Sequence, residues 1–243
     1  MRQKRHRKRF YDPFKSILKW LMFCLAGLFA LLLATILTFR FVDPPTWSWK
    51  LQRELNPPAG YPAVARHQWR DIDQIPQAIQ LAVIAAEDQN FPHHHGIDFG
   101  AVQQAISDLD EGKSLRGAST ITQQTVKNLF LWPQKNWSRK LLEGGLALLI
   151  ELLWDKQRIL EVYLNIVEFG PGVYGVAAAS DYWYRRPLER LSLDQASRLA
   201  AILPNPWRYR AEPASPYVSV RAAWIEQQMG MLGYGWLTPV NGE

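Results

Sequence analysis

The 243-residue chain has one cysteine, Cys24, and it lies inside an uncharged apolar run. No disulfide can staple the remainder, and a segment of about 200 residues buries a sufficient core without one. Sustained apolar–polar alternation, internal repeats and low-complexity tracts are absent, which argues against an all-β domain, a solenoid and a disordered scaffold. Excess charge is also absent outside the N-terminus. Residues 1–19 carry eight Lys/Arg against Asp12, or +7, so of the chain's +6 the other residues supply −1. The basicity is therefore a local tail; no nucleic-acid-binding module accompanies it, and no nucleic-acid partner is expected. A metal-ligand cluster is lacking too. His93, His94 and His95 are adjacent and cannot all converge on one ion, so no metal site is assigned to them.

What is present begins with Trp20–Phe39, twenty residues without a charge. As a helix this run is about 30 Å long, enough to cross a bilayer. A cleavable signal peptide would have a shorter apolar region and a small-residue cleavage site; Arg40-Phe41-Val42-Asp43-Pro44 follows instead. The expectation is a basic cytoplasmic tail (1–19), a membrane-spanning helix (20–41), a stiff linker (42–62) and an outer domain (63–243), oriented by the positive-inside rule. The linker reading rests on Pro44-Pro45, Pro57-Pro58 and Gly60. Trp47 and Trp49 fall where interfacial aromatics are expected.

Beyond a short strand around Val64–Trp69, capping signals predict helix after helix. Pro76 opens Gln77–Asn90. Asp98 caps a helix to Glu111, with Gly112 past its end. Ser119 caps Thr120–Leu131, and Trp132-Pro133 breaks the pattern. Another helix starts at Ser138, Asp155 caps Lys156–Ile166, Ser192 and Gln195 box Leu193–Leu203, and Ser215-Pro216 starts a helix that ends before Gly233. The domain is mainly α. Residues 139–154 are apolar nearly all round, which predicts burial, and the Gly144-Gly145 pair predicts close approach by a helix or ligand.

Two stretches carry candidate chemistry. Thr120, Gln123, Gln124 and Lys127 share one helix side, and Arg139, Lys140 and Glu143 lie within one turn of each other. Three cations, two carboxamides and a carboxylate suit a phosphate-bearing substrate with acid/base chemistry beside it; ordinary solvated i,i+4 pairs are the alternative. Upstream, Glu87-Asp88 ends an apolar helix beside FPHHHG, either as an active-site edge or as a solvated acid over core Phe91. Glu151 is a competing acid, with no flanking cations in sequence.

These blocks resemble the peptidoglycan glycosyltransferases. The resemblance rests on Glu87-Asp88-x-x-Phe91-x-x-His94-x-Gly96, on Gly117-x-Ser119-Thr120-Ile121-Thr122-Gln123-Gln124 with Lys127-Asn128, and on Arg139-Lys140-x-x-Glu143. Lys156-x-x-Ile159-Leu160-Glu161-x-Tyr163-Leu164-Asn165 and Arg198 to Pro206 complete it, in the family's order, over about residues 60–210. Asp181-Tyr182-Trp183-Tyr184-Arg185 departs from the Tyr-Phe-Gly-Lys more often seen there. The resemblance implies a lysozyme-like α-helical glycosyltransferase domain on a single membrane helix. It implies polymerisation of lipid II into β-1,4 glycan with release of undecaprenyl pyrophosphate, at the outer face of the bacterial inner membrane. Glu87 is then the base and Glu143 a second catalytic acid that orients the cations, helps the leaving group or bridges a divalent ion (Mg or Mn). Lys127, Arg139, Lys140, Ser119, Thr120, Gln123, Gln124, Asp88, Phe91, His94 and Asn128 are expected to bind substrate, and no cofactor is required.

Bifunctional relatives append a transpeptidase domain. This chain ends at Glu243, too early for one, and its one Ser-x-x-Lys match, Ser16 to Lys19, lies in the tail, so the monofunctional form is expected. Cell-wall synthesis or division proteins are possible partners. The rivals are a lysozyme-like glycan-cleaving enzyme and a non-catalytic membrane-anchored scaffold; neither needs a pyrophosphate-binding cluster. Asn128–Trp132 and Trp137 offer apolar surface, as core or as a membrane-dipping segment.

Overall fold

The computed structural model describes residues 13–111, 117–134 and 136–242; Gly112, expected past a helix end, lies outside them. It divides into two compact units, residues 1–42 and 43–243. The first contains α1 (Pro13–Phe39), a helix long and apolar enough to cross a membrane. Trp20, Phe23, Leu28 and Leu31 on it are exposed, unlike the side chains of a core helix.

The second unit is mainly helical, as expected. In the stretch expected to be a linker, residues 48–55 form α2 (Ser48–Leu55). Trp47, in front of it, packs into this unit. It is buried, with its ring edge-on to His67 and Tyr174 at 4.9 and 5.3 Å between centroids. β1 (Arg66–His67) falls within the expected strand. It pairs in parallel with β3 (Val173–Tyr174), which pairs antiparallel with β2 (Glu168–Gly170), giving the order β1-β3-β2.

The core lies around α3 (Gln77–Glu87), which packs on α9 (Leu193–Ile202) and α10 (Pro216–Leu232). Seven consecutive residues of α3, Ile79–Ala85, are buried. An apolar helix in such a position contributes roughly 2–5 kcal/mol per large side chain against truncation to alanine. α5 (Ile121–Phe130) packs against α6 (Trp137–Leu153) and α7 (Lys156–Ile166).

The caps fall close to expectation. Asp98 accepts from Ala101 N at the start of α4 (Phe99–Asp110), Asp155 caps α7, Ser192 and Gln195 form a capping box, and Ser215 caps α10. Three expectations are corrected. α3 stops at Glu87 rather than Asn90, because Asp88 leaves helical backbone (φ −160°, ψ 76°). The cap of α5 is Thr120, not Ser119, because Gln123 returns the bond to Thr120 N at 3.1 Å and completes the box one residue later. The most instructive concerns α6. It begins at Trp137, capped by Asn136, and buries only Arg139, Glu143, Ala147 and Ile150. Leu141 and Leu152 are 77% and 80% exposed, Gly145 faces open space, and Gly144 meets only Ile97 Cδ1 at 3.8 Å. An apolar sequence shows that a helix face avoids water, but not that protein covers it. Leu129 and Leu131 are instead buried core, whereas Trp137 is exposed.

Candidate active site

The turn after α3 is built from side chains bonding to backbone. Asp88 Oδ2 lies 2.8 Å from His94 Nε2 and accepts from Ile121 N at 2.9 Å, the first residue of α5. Gly96 N donates to His94 Nδ1 at 3.1 Å, so the ring proton sits on Nε2 and points at Asp88. Thr120 Oγ1 in turn donates to Gly96 O at 2.6 Å. Gly96 has φ +86°, and a Cβ there would lie 2.9 Å from Ala147 O of α6. Only glycine lets the turn approach α6 so closely. Asp88, Phe91, His94, Thr120, Gln123 and Asn128 are thus each more than nine-tenths buried. Through these bonds and the close approach of Gly96 to α6, Asp88, His94 and Thr120 form a frame that fixes α3, α5 and α6 relative to one another.

Glu87 projects from this frame. Its carboxylate accepts from Gln124 Nε2 at 2.7 Å, and Gln124 Oε1 accepts from the Tyr163 hydroxyl at 3.1 Å, which fixes the amide's orientation. No cation lies within ion-pair distance of Glu87 among the described residues. Burial pushes its pKa above the ordinary value, while the Gln124 bond, Arg221 and Lys127 draw it partly back. A carboxyl group so placed is a better proton acceptor than an ordinary glutamate.

The cations lie further along α5 and on α6. Glu143 is buried and paired on both oxygens, to Arg139 Nη1 at 2.6 Å and to Lys140 Nζ at 2.5 Å. Arg139 Nε also donates to Gln134 O at 2.8 Å, and Lys140 Nζ to Ser119 Oγ at 3.0 Å. Lys127, one helical turn after Gln124, makes no ion pair of its own among the described residues; its ammonium lies 5.3 Å from the Trp49 ring centroid. Burial lowers its pKa; Glu143 and Glu87 oppose the shift, and Arg139 and Lys140 add to it. A half-buried, unneutralised ammonium suits an incoming anion.

Beside Glu87 opens a cleft of about 930 Å³, walled by Ser119, Gln124 and, from α10, Tyr217, Arg221 and Trp224. Residues 58–230 match the family described as Transglycosylase. The chain belongs to the transglycosylase family. It is 51% identical over 227 residues to a biosynthetic peptidoglycan transglycosylase of Shewanella oneidensis, covering 93% of this chain and 97% of the relative. Relatives of the same name from Aeromonas hydrophila (51% identical; 89% of this chain, 95% of the relative) and Pseudomonas aeruginosa (47%; 90% and 94%) align comparably.

The structure brings Glu87, Ser119 and Gln124 to the cleft and clusters Lys127, Arg139, Lys140 and Glu143 at the α5–α6 side. Glu151, which seemed to lack cations, is corrected: Lys156 Nζ lies 2.8 Å from its carboxylate and Thr122 Oγ1 donates to it at 2.5 Å. The same ammonium sits 4.5 Å from the Phe91 ring centroid. That pair ties α6 to α7 and α5. The α10 wall escaped sequence reasoning because it lies past the last recognisable motif. Its one signal was Tyr217, Arg221 and Trp224 at helical spacing. Arg221 donates to Ala86 O at 3.0 Å and stacks 4.0 Å over Trp224.

Proposed function

We propose that this protein polymerises lipid II into β-1,4-linked glycan, with a lipid-linked strand as donor, and releases undecaprenyl pyrophosphate. One observation supports this most: Gln124, which donates to the part-buried Glu87 carboxylate, and Lys127, which pairs with no carboxylate among the described residues, lie a turn apart on α5. The acceptor's 4-hydroxyl loses its proton to Glu87 as its oxygen attacks the donor's anomeric carbon from the opposite face. The bond from that carbon to pyrophosphate breaks, and the electron pair passes to the phosphate oxygens. Lys127, Arg139 and Lys140 stabilise that developing charge. Glu143 holds Arg139 and Lys140 in place.

Glu143 already meets a cation at each oxygen, so stabilising the charge on the leaving group is assigned to Lys127, Arg139 and Lys140. A lysozyme-like cleaving enzyme would have no use for the Lys127 cluster, and a scaffold would not need a base aimed into a cleft. The α1 anchor is assigned to the bacterial inner membrane with the N-terminus cytoplasmic, as the basic tail favours. Lipid-linked substrates demand a site at the membrane surface, and the uncovered leucines of α6 suit contact with lipid.

The test is to incubate the purified full-length protein with lipid II, and separately with finished lipid-free glycan. Polymer from the first and no fragments from the second are expected. Fragments without lipid II consumption would overturn the reading in favour of cleavage.

A further inference from the structure

We infer that Trp49, on the short helix leading into the catalytic unit, is a positioning residue for the Lys127 ammonium. The inference deepens the proposed function, because it rests on Lys127 gripping the departing phosphate. It starts from an asymmetry among the cations. Arg139 and Lys140 are oriented by ion pairs with Glu143, which also neutralise much of their charge. Lys127 has no such partner among the described residues, yet a free lysine side chain has many rotamers to lose on ordering. An aromatic face solves this conflict: it attracts an ammonium through its quadrupole without cancelling the charge, and indole does so best.

Trp49 is itself held from several directions. Ser48 Oγ and Gln52 Nε2 donate to Leu131 O, at the C-terminal end of α5, at 2.9 and 3.2 Å, which locks α2 onto the helix that carries Lys127. The Trp49 indole N–H points to Glu168 Oε2 at 3.4 Å. Glu168 is buried and also accepts from Trp207 Nε1 at 2.9 Å and Gly172 N at 3.3 Å. The Arg53 guanidinium lies 5.4 Å from the Trp49 ring centroid and 4.8 Å from that of Trp207, and it pairs with Glu168 at 3.7 Å. The indole is thus clamped from α2 and the Glu168 side and contributes a ring to Lys127, which among the described residues pairs with no carboxylate.

The experiment uses the full-length protein with Trp49→Leu, Trp49→Phe, Lys127→Met and the Trp49→Leu/Lys127→Met double variant. Lipid II turnover should fall about tenfold in Trp49→Leu, within the range of a desolvated cation–aromatic contact. Trp49→Phe should keep at least half, since a phenyl face remains. In the Lys127→Met background, Trp49→Leu should change turnover by less than about twofold, as two residues acting through one group must be non-additive. Independently of activity, acylation of Lys127 by a small amine-reactive activated ester, read by mass spectrometry, should speed up several-fold in Trp49→Leu while that of Lys140 stays constant. The inference is overturned if the two losses multiply, if Trp49→Phe loses as much as Trp49→Leu, or if turnover merely follows the folded fraction. Unchanged Lys127 acylation would overturn it as well. Faster Lys127 acylation with no polymer from any variant would instead leave the Trp49–Lys127 contact standing and remove the polymerase reading.

Discussion

Two glutamates in this site, Glu87 and Glu143, are built in opposite ways. Glu87 sits at the end of an apolar helix, bonds to a neutral amide, and has its cations at a distance. Glu143 is buried as deeply as a core residue but meets a cation at each oxygen, within 2.6 Å. Burial acts on both, and it is the partners that separate them. Burial raises the Glu87 carboxyl and the neutral amide leaves it free to exchange a proton, whereas Glu143 is tied into two ion pairs and holds Arg139 and Lys140. The lesson extends to the cations: those that hold Glu143 are partly occupied, whereas Lys127 pairs with no carboxylate among the described residues.

The largest test of this contrast removes the base. Glu87→Gln keeps the shape and the Gln124 contact but cannot take a proton, and turnover should fall by about 10²–10⁴. The fold should not suffer. A carboxyl whose folded pKa is raised subtracts stability where it is ionised, so the variant should melt above wild type at pH 8, and the gain should vanish as the pH falls below the unfolded glutamate range. Calorimetry at both pH values checks this.

Next comes Lys127→Met. Removing one donor aimed at developing charge typically costs about 10²–10³ in rate. Since losing Lys127 orphans no ion-pair partner among the described residues, the melt should stay within a few degrees of wild type. Arg139→Met should differ from it in kind. Turnover should also drop, but the variant strips a partner from buried Glu143, a change of about 3 kcal/mol or more. The melt should therefore fall on the order of 10 °C. Equal melts for the two variants would erase the distinction between a free cation and a paired one. The smallest effect is expected from Lys140→Met, whose side chain is 42% exposed: a melt shift of at most about 2–4 °C, with Arg139 still neutralising Glu143.

How much of this was legible beforehand depended on the range of the interaction. Local chemistry was readable: Asp98, Asp155, Ser192 and Ser215 each cap the helix expected of them, because a cap is decided within four residues. Ser119 and Thr120 are both good caps, and only the reach of Gln123 chooses between them. The strands of two and three residues are too short to generate a period. Glu87, Lys127 and Glu143 were identifiable as candidates by type and spacing. That Asp88, His94 and Thr120 serve as frame, that Glu151 has Lys156, and that Arg221 and Trp49 face the site are products of tertiary packing. Glu151 and Lys156 are only five residues apart, but they sit on different helices, so spacing alone does not show that they meet. The exposed leucines of α6 show the same limit, since an apolar pattern names the need for cover without naming what provides it.

The measurement that bears most directly on the account is the pH dependence of kcat/KM for lipid II, taken on the full-length wild-type protein. The base must be ionised and the phosphate-gripping lysine protonated, so the profile should be a bell. Its acid limb should lie above the ordinary glutamate value of 4.5, because burial raises Glu87. Its basic limb should lie below the ordinary lysine value of 10.5, because burial lowers Lys127, and it should disappear from the residual activity of Lys127→Met. An acid limb at or below 4.5, or a basic limb that survives in Lys127→Met, would contradict the assignment of Glu87 as the base and Lys127 as the free cation.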